Sequence, residues 1–272
     1  FVAPLLLPDY PATLLSFGRY LAFGLVTLPI AWWQRKALRA LTRADWWLAT
    51  KLSIAGNFIY YLALSASIQL AGAPLPTLII GTLPVVIAVT SNVLSAGEHR
   101  FSWGRLLPPL LLIVAGLLCV NADQVARLQT EGSLSAYISG AALALVANAA
   151  WTWYPIHNAR WLNANRQHTS TTWATAQGIA TLPIAAVGLA ASLIWLRLTG
   201  DARFAQSLSG PEPIKFWFLM ISIGFCASWL GTILWNIASK NTPTALTGQL
   251  IVFETLAALA YAYLVYQRSP SG

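Results

Sequence analysis

Charge is what this sequence has least of. Only 9% of its 272 residues are Asp, Glu, Lys or Arg, where an average soluble domain has roughly 25%. So few charges cannot cover a water-facing surface, and with 57% of residues hydrophobic the composition excludes a soluble globular fold and implies an all-α polytopic membrane protein. Cysteine is as scarce. Cys119 and Cys226 each lie inside an apolar run with no metal-type spacing between them, so they are small core residues rather than a disulfide or redox pair. The three histidines, His99, His157 and His168, are scattered over span ends without ligand spacing, and no metal is expected. No Gly-x-x-x-x-Gly-Lys-Ser/Thr phosphate loop, His-Glu-x-x-His helix or Gly-x-Ser-x-Gly elbow occurs, which argues against an ATP engine, an intramembrane hydrolase and a cofactor. No basic segment precedes the apolar run that starts at Phe1, so no cleavable signal peptide is read.

What is there is a set of eight apolar spans, at about 12–33, 46–70, 75–95, 103–121, 137–156, 172–196, 216–238 and 243–266. Trp32, Trp33, Trp46, Trp47, Trp103, Trp161, Trp195 and Trp217 fall at their ends, where indoles anchor in the headgroup layer. The net charge of +8 is not a nucleic-acid footprint. The excess Arg and Lys fall in the loops after spans one, three, five and seven, with Asp45 and Glu98 their only acids, so those loops are cytoplasmic by the positive-inside bias. The expected partners are the lipid bilayer and a small-molecule substrate, with the chain a monomer or weak dimer.

Two charges remain inside spans. Glu254 stands near the centre of span eight, where a carboxylate costs about 2.5–3.5 kcal/mol on insertion scales, so it should face a partner, a cavity or a wet path. Arg19 lies in span one. If the two pair, Glu254 is structural; if they do not, it is a candidate for a coupling proton.

Laying Gly72 on Pro243, an offset of 171, superposes LIIGTLPVV around Pro84 on LIVFETLAA around Thr255, and 46–70 on 217–241. The loop charges orient the two copies oppositely. The expected organisation is therefore an N-terminal repeat over 1–121, a linker over 122–136 and an inverted C-terminal repeat over 137–272. Polar stripes at helical spacing suggest what the spans enclose: Asn57, Tyr60, Tyr61 and Ser65; Asn148, Trp151 and Thr152; Trp229, Thr232 and Asn236; and Gln249. Each amide alone reads as helix glue. Together they suggest a mid-membrane chamber with aromatic walls, so Asn57, Tyr61, Asn148, Trp151, Trp229, Asn236 and Gln249 are the candidate substrate-binding residues. Pro84 and Pro155 each remove a helical hydrogen bond and are candidate gating kinks.

Several stretches, PATLLSFGRYLAFGL with Arg19, LPVVIAVTSNVLSAGEHRFSW, and NTPTALTGQLIVFETLAALAYAYL, resemble the second, fourth and ninth helices of EamA-type transporters of the drug/metabolite transporter superfamily. Two positions depart from that pattern: His99 where Arg usually follows Gly-Glu, and Thr255 where Pro usually follows Glu254. WTWYPIHNARW and ASWLGTILWNIASKNTP look most like the bacterial aromatic amino acid exporter branch. The resemblance implies ten helices in two inverted five-helix repeats, both termini cytoplasmic in the inner membrane, with this chain opening near the end of helix one and stopping before helix ten. It implies export of small metabolites, amino acids and aromatic ones in particular. Efflux of lipophilic cations, with Glu254 as counter-charge, is the alternative transport reading, and a membrane-embedded enzyme or a scaffold the alternative class.

Overall fold

A computed structural model describes residues 3, 6–7, 9–72, 74–94, 102–112, 114–115, 134–204 and 210–253. Glu98, His99, Cys119, Glu254 and Thr255 lie outside them. No strand occurs among the described residues. Besides the short helices Arg35–Arg39 and Ala202–Phe204, the described helices are α1 Ala12–Trp33, α2 Arg43–Ala71, α3 Leu75–Leu94, α4 103–112, α5 Leu134–Ala164, α6 Ser170–Leu198, α7 Pro213–Asn241 and α8 Thr244–Gln249. Six of them, α1, α2, α3, α5, α6 and α7, are long and apolar enough to cross a membrane. The other two, α4 and α8, are the described parts of expected spans four and eight.

Local chemistry sets where these helices begin. Thr42 opens α2 with a capping box, its hydroxyl accepting from the Asp45 N–H at 3.2 Å while the Asp45 carboxylate accepts from the Thr42 N–H at 2.8 Å. The Thr169 hydroxyl accepts from the Thr172 N–H at 3.0 Å and opens α6 in the same way. Pro213 occupies the first turn of α7, where its missing N–H costs nothing. The span over 137–156 extends to Ala164 as α5, past the polar His157, Asn158 and Arg160, and Asn158 there is bonded to Asn236, Trp173 and Gln177.

The chain forms two compact units, and each draws on both halves of the sequence. Unit one holds Phe1–Ala66 and His157–Lys240; unit two holds Ser67–Ile156 and Asn241–Gly272. In unit one, α1 and α6 pack closely and antiparallel: a Cβ on Gly178 would run into Thr27 and one on Gly188 into Phe17. Such small residues let membrane helices approach at backbone distance. Around this pair gather Leu14, Leu15, Tyr20, Phe23, Phe58, Tyr61, Phe216 and Met220. Outside the spans, Tyr10 stacks on Phe216 at 4.9 Å, and its hydroxyl accepts from the Glu212 N–H at 2.9 Å. Burial pushes its phenol above the ordinary tyrosine range. In unit two, Ala88, Leu106, Leu110 and Ala245 form a smaller core, and α3 lies against α8 with Ile87 over Gly248.

Two interruptions of the α geometry bear on function. A π-helical segment, Ser53–Ile59, lies within α2, and another of the same seven-residue length, Gly224–Leu230, lies within α7. Such segments are rare and concentrate at functional sites. Secondly, α3 stops at Gly81 and resumes at Leu83. Pro84 supplies no N–H there, so the break falls where the sequence placed a kink. Pro155, by contrast, is accommodated inside an unbroken α5.

The tryptophans sort by exposure. Trp32, Trp33, Trp47 and Trp195 are exposed, as headgroup anchors should be, but Trp161 is 6% exposed. It stacks on Trp173 with ring centroids 3.5 Å apart and donates its indole N–H to Asp45 at 2.6 Å. The reason Trp161 is a packing residue and not an anchor is that α5 continues through it into the bundle.

Candidate functional site

Arg19 is the centre of the most distinctive polar arrangement. It projects from α1 with its Nε donating to the Ser228 hydroxyl at 2.9 Å. The guanidinium carbon lies 5.2 Å from the Tyr20 ring centroid and 5.1 Å from that of Tyr61, both within cation–π range. The two rings meet edge to face, 6.2 Å apart. Tyr61 and Tyr20 are buried whereas Arg19 is half-buried. Among the described residues no carboxylate comes within ion-pair distance of Arg19; the ion pairs there are Arg203 with Asp9 and Asp201, and Lys215 with Glu212. The Arg19–Glu254 pairing falls outside the described residues.

The π segments aim the partner side chains. On α7, Ser228 turns to Arg19 of α1; on α2, Asn57 donates through Nδ2 to the Thr181 hydroxyl of α6 at 3.2 Å. Thr181 in turn donates to Ser53 at 2.9 Å or to the Gln177 carbonyl at 2.7 Å, so the α2–α6 seam is polar and closed. Trp229, next to Ser228, packs against the aromatic cluster of unit one and stacks on Phe225 at 5.3 Å. Its indole N–H is buried with no acceptor among the described residues.

The remaining candidates divide between the units. In unit one, Asn236 is fully buried and engaged at both ends: its carbonyl oxygen accepts from Asn158 Nδ2 at 2.8 Å, and its Nδ2 donates to the Ser170 carbonyl at 3.4 Å. Asn158 Oδ1 also accepts from Trp173 Nε1 at 2.8 Å and Gln177 Nε2 at 3.0 Å. Asn236 is thus part of a buried lock joining α5, α6 and α7. In unit two, Asn148 Nδ2 donates to the Ile79 carbonyl at 2.8 Å and the Thr82 hydroxyl at 3.0 Å. It thereby supplies a donor at the carbonyl beside the α3 break. Trp151 stacks on Tyr154 at 5.1 Å, and Gln249 keeps a buried Nε2 without a partner among the described residues. Of the sequence candidates, Arg19 and Tyr61 are brought into direct contact. Ser228, Tyr20 and Asn158 were not singled out by sequence; Ser228 was nonetheless findable, because the 171 offset carries Asn57 onto it.

The sequence model of the EamA-like transporter family matches residues 1–122. The inner membrane protein YtfF of Escherichia coli (strain K12) is 46% identical over 271 residues, covering 99% of this chain and 84% of that protein. The chain belongs to the EamA-like transporter family. A crystal structure of a protein with 17% identity to this EamA-like transporter superposes with a TM-score of 0.68, over 97% of this chain and 83% of the other. At that identity it bears on the fold alone, which it shares. Family membership makes the chain a multi-pass membrane transporter of the drug/metabolite superfamily and points away from an enzyme.

Proposed function

We propose that this EamA-like transporter exports small metabolites, amino acids with a preference for aromatic ones, by alternating access between two inverted repeats in a bacterial inner membrane. The observation that carries the repeat is the pair of π segments. Ser53–Ile59 and Gly224–Leu230 are 171 residues apart at both ends, the same offset as the sequence repeat. The equivalence extends to chemistry, because Asn57 and Ser228 occupy the same position in the two segments. One bonds α6 and the other α1, and α6 and α1 run antiparallel, as inverted copies require. The inner-membrane placement is supported by the description of the 46% identical relative.

For the substrate, support comes from the rings around Arg19 and from Trp229, which offer flat apolar walls beside a fixed positive charge. Lipophilic-cation efflux rests on Glu254 and is disfavoured by a cation held among the same aromatic faces. Counterflow into proteoliposomes decides between them. Saturable uptake of labelled Phe and Trp, exceeding that of Ala and Thr, supports the proposal; uptake of a lipophilic cation alone would replace it. A scaffold would move none of these, and an enzyme would return a chemically altered compound.

A further inference from the structure

The Arg19 arrangement has a chemical peculiarity that helix glue does not require. An arginine that only pins helices together is normally neutralised by a carboxylate or fully engaged by carbonyls, because an unbalanced cation within a span is costly. Arg19 has neither among the described residues. Its Nε is engaged by Ser228 and its faces by Tyr20 and Tyr61, which position the guanidinium without cancelling its charge. The two Nη groups take no side-chain carboxylate or backbone carbonyl among the described residues, and the side chain is partly buried. The Tyr61 phenol stands within hydrogen-bonding reach of both Arg19 and Ser65. One residue beyond Ser228, the Trp229 indole N–H is a buried donor with no acceptor among the described residues.

We propose that Arg19, held by Ser228, Tyr20 and Tyr61, receives the carboxylate of the substrate, so that the transporter recognises organic monocarboxylates by a two-oxygen contact to the Nη pair. The planar fork matches the spacing of carboxylate oxygens, which a lysine ammonium does not. The substrate then supplies a negative charge that no described residue places beside Arg19. This inference rests on the transport function proposed above and adds to it the group by which substrates are chosen: the carboxylate is required and the amine is not. The repeat makes the site one-sided. The position that meets Ser228 is Arg19, whereas the position that meets the equivalent Asn57 is the uncharged Thr181.

The test uses three probes of one ring size: phenylalanine, 3-phenylpropionate, which lacks the amine, and phenethylamine, which lacks the carboxylate. Binding to the purified chain in detergent is measured by displacement of labelled phenylalanine, and transport by counterflow. Phenylalanine and 3-phenylpropionate are expected to compete, and phenethylamine to fail. Arg19→Gln should weaken both acids about 10- to 100-fold, the range of a charge-assisted hydrogen-bonded contact. Arg19→Lys, which keeps the charge and guards against a misfolded Gln variant, should fall between the two, and Ser228→Ala should weaken binding less than either. Phenethylamine competing as well as phenylalanine would overturn the proposal. So would a folded Arg19→Gln protein that binds both acids as the parent does, even with phenylalanine transport intact. If the parent protein binds no probe and moves only a lipophilic cation, both this inference and the amino acid reading fall.

Discussion

The buried amide lock gives a stability prediction whose size follows from the structure. Asn158 makes three side-chain hydrogen bonds, accepting from Trp173 and Gln177 and donating to Asn236. All four residues are at most 2% exposed. Replacing Asn158 with Leu keeps the volume roughly constant, so the cavity contribution is small and the lost bonds dominate. Inside membrane proteins such bonds average about 0.6 kcal/mol and reach about 1.7. Three of them give ~2 to ~5 kcal/mol, a large share of typical total stability. The assay is reversible unfolding in mixed micelles with rising denaturing detergent, comparing the parent, N158L, N236L and the double variant. Because both single changes break the same Asn158–Asn236 bond, the double variant should be less destabilised than the sum by about 0.6–1.7 kcal/mol. Strict additivity, or a loss below about 0.5 kcal/mol for N158L, would refute the lock.

Gly178→Ala should destabilise by about 1–3 kcal/mol, because the new methyl meets the β-branched Thr27 and must part α1 from α6; Gly104→Ala, facing open space, should not, and thermal unfolding in one detergent compares them. Thr42→Ala should cost about 1 kcal/mol locally by removing the hydroxyl that accepts from the Asp45 N–H and donates to its carboxylate, seen as faster hydrogen exchange in the first turn of α2. Trp151→Ala and Trp229→Ala should reduce transport of Phe and Trp more than of Ala and Thr in proteoliposomes. Equal losses across substrates would make these rings packing alone. Asn148→Ala should loosen the α3 break by removing the donor to Ile79 and Thr82, read as lower protection of the amides around Thr82.

Hydropathy made the helices legible, since a backbone that must satisfy itself in lipid can only be a helix, and each expected span is mostly helical where it is described. The polar end of α5 was not legible, because His157, Asn158 and Arg160 together resemble a loop, and the partners of Asn158, which are Asn236, Trp173 and Gln177, are distant in sequence or on another helix. The same limit applied to Trp161, whose position at a span end matched an anchor while its partner Asp45 lies more than a hundred residues away. Stripes identified which face of a helix is polar but not which neighbour it meets. The spacing that puts Asn57 on a polar face does not name Thr181 as its partner, and the place of Arg19 within span one does not name Tyr20 and Tyr61 beside it.

The matched π segments also set angular phase. Each residue of an α-helix advances about 100° around its axis, and a wider π turn holds back that advance for everything that follows. In α2 this decides which way Tyr60–Ala71 faces relative to Arg43–Leu52, and in α7 which way Gly231–Asn241 faces relative to Pro213–Ile223. Deleting one residue from Ser53–Ile59 would swing Tyr61 about a quarter-turn off the Arg19 guanidinium while leaving hydropathy almost unchanged. Two chains with the same apolar profile can thus present different side chains to a substrate, and the length of a seven-residue segment is enough to separate them.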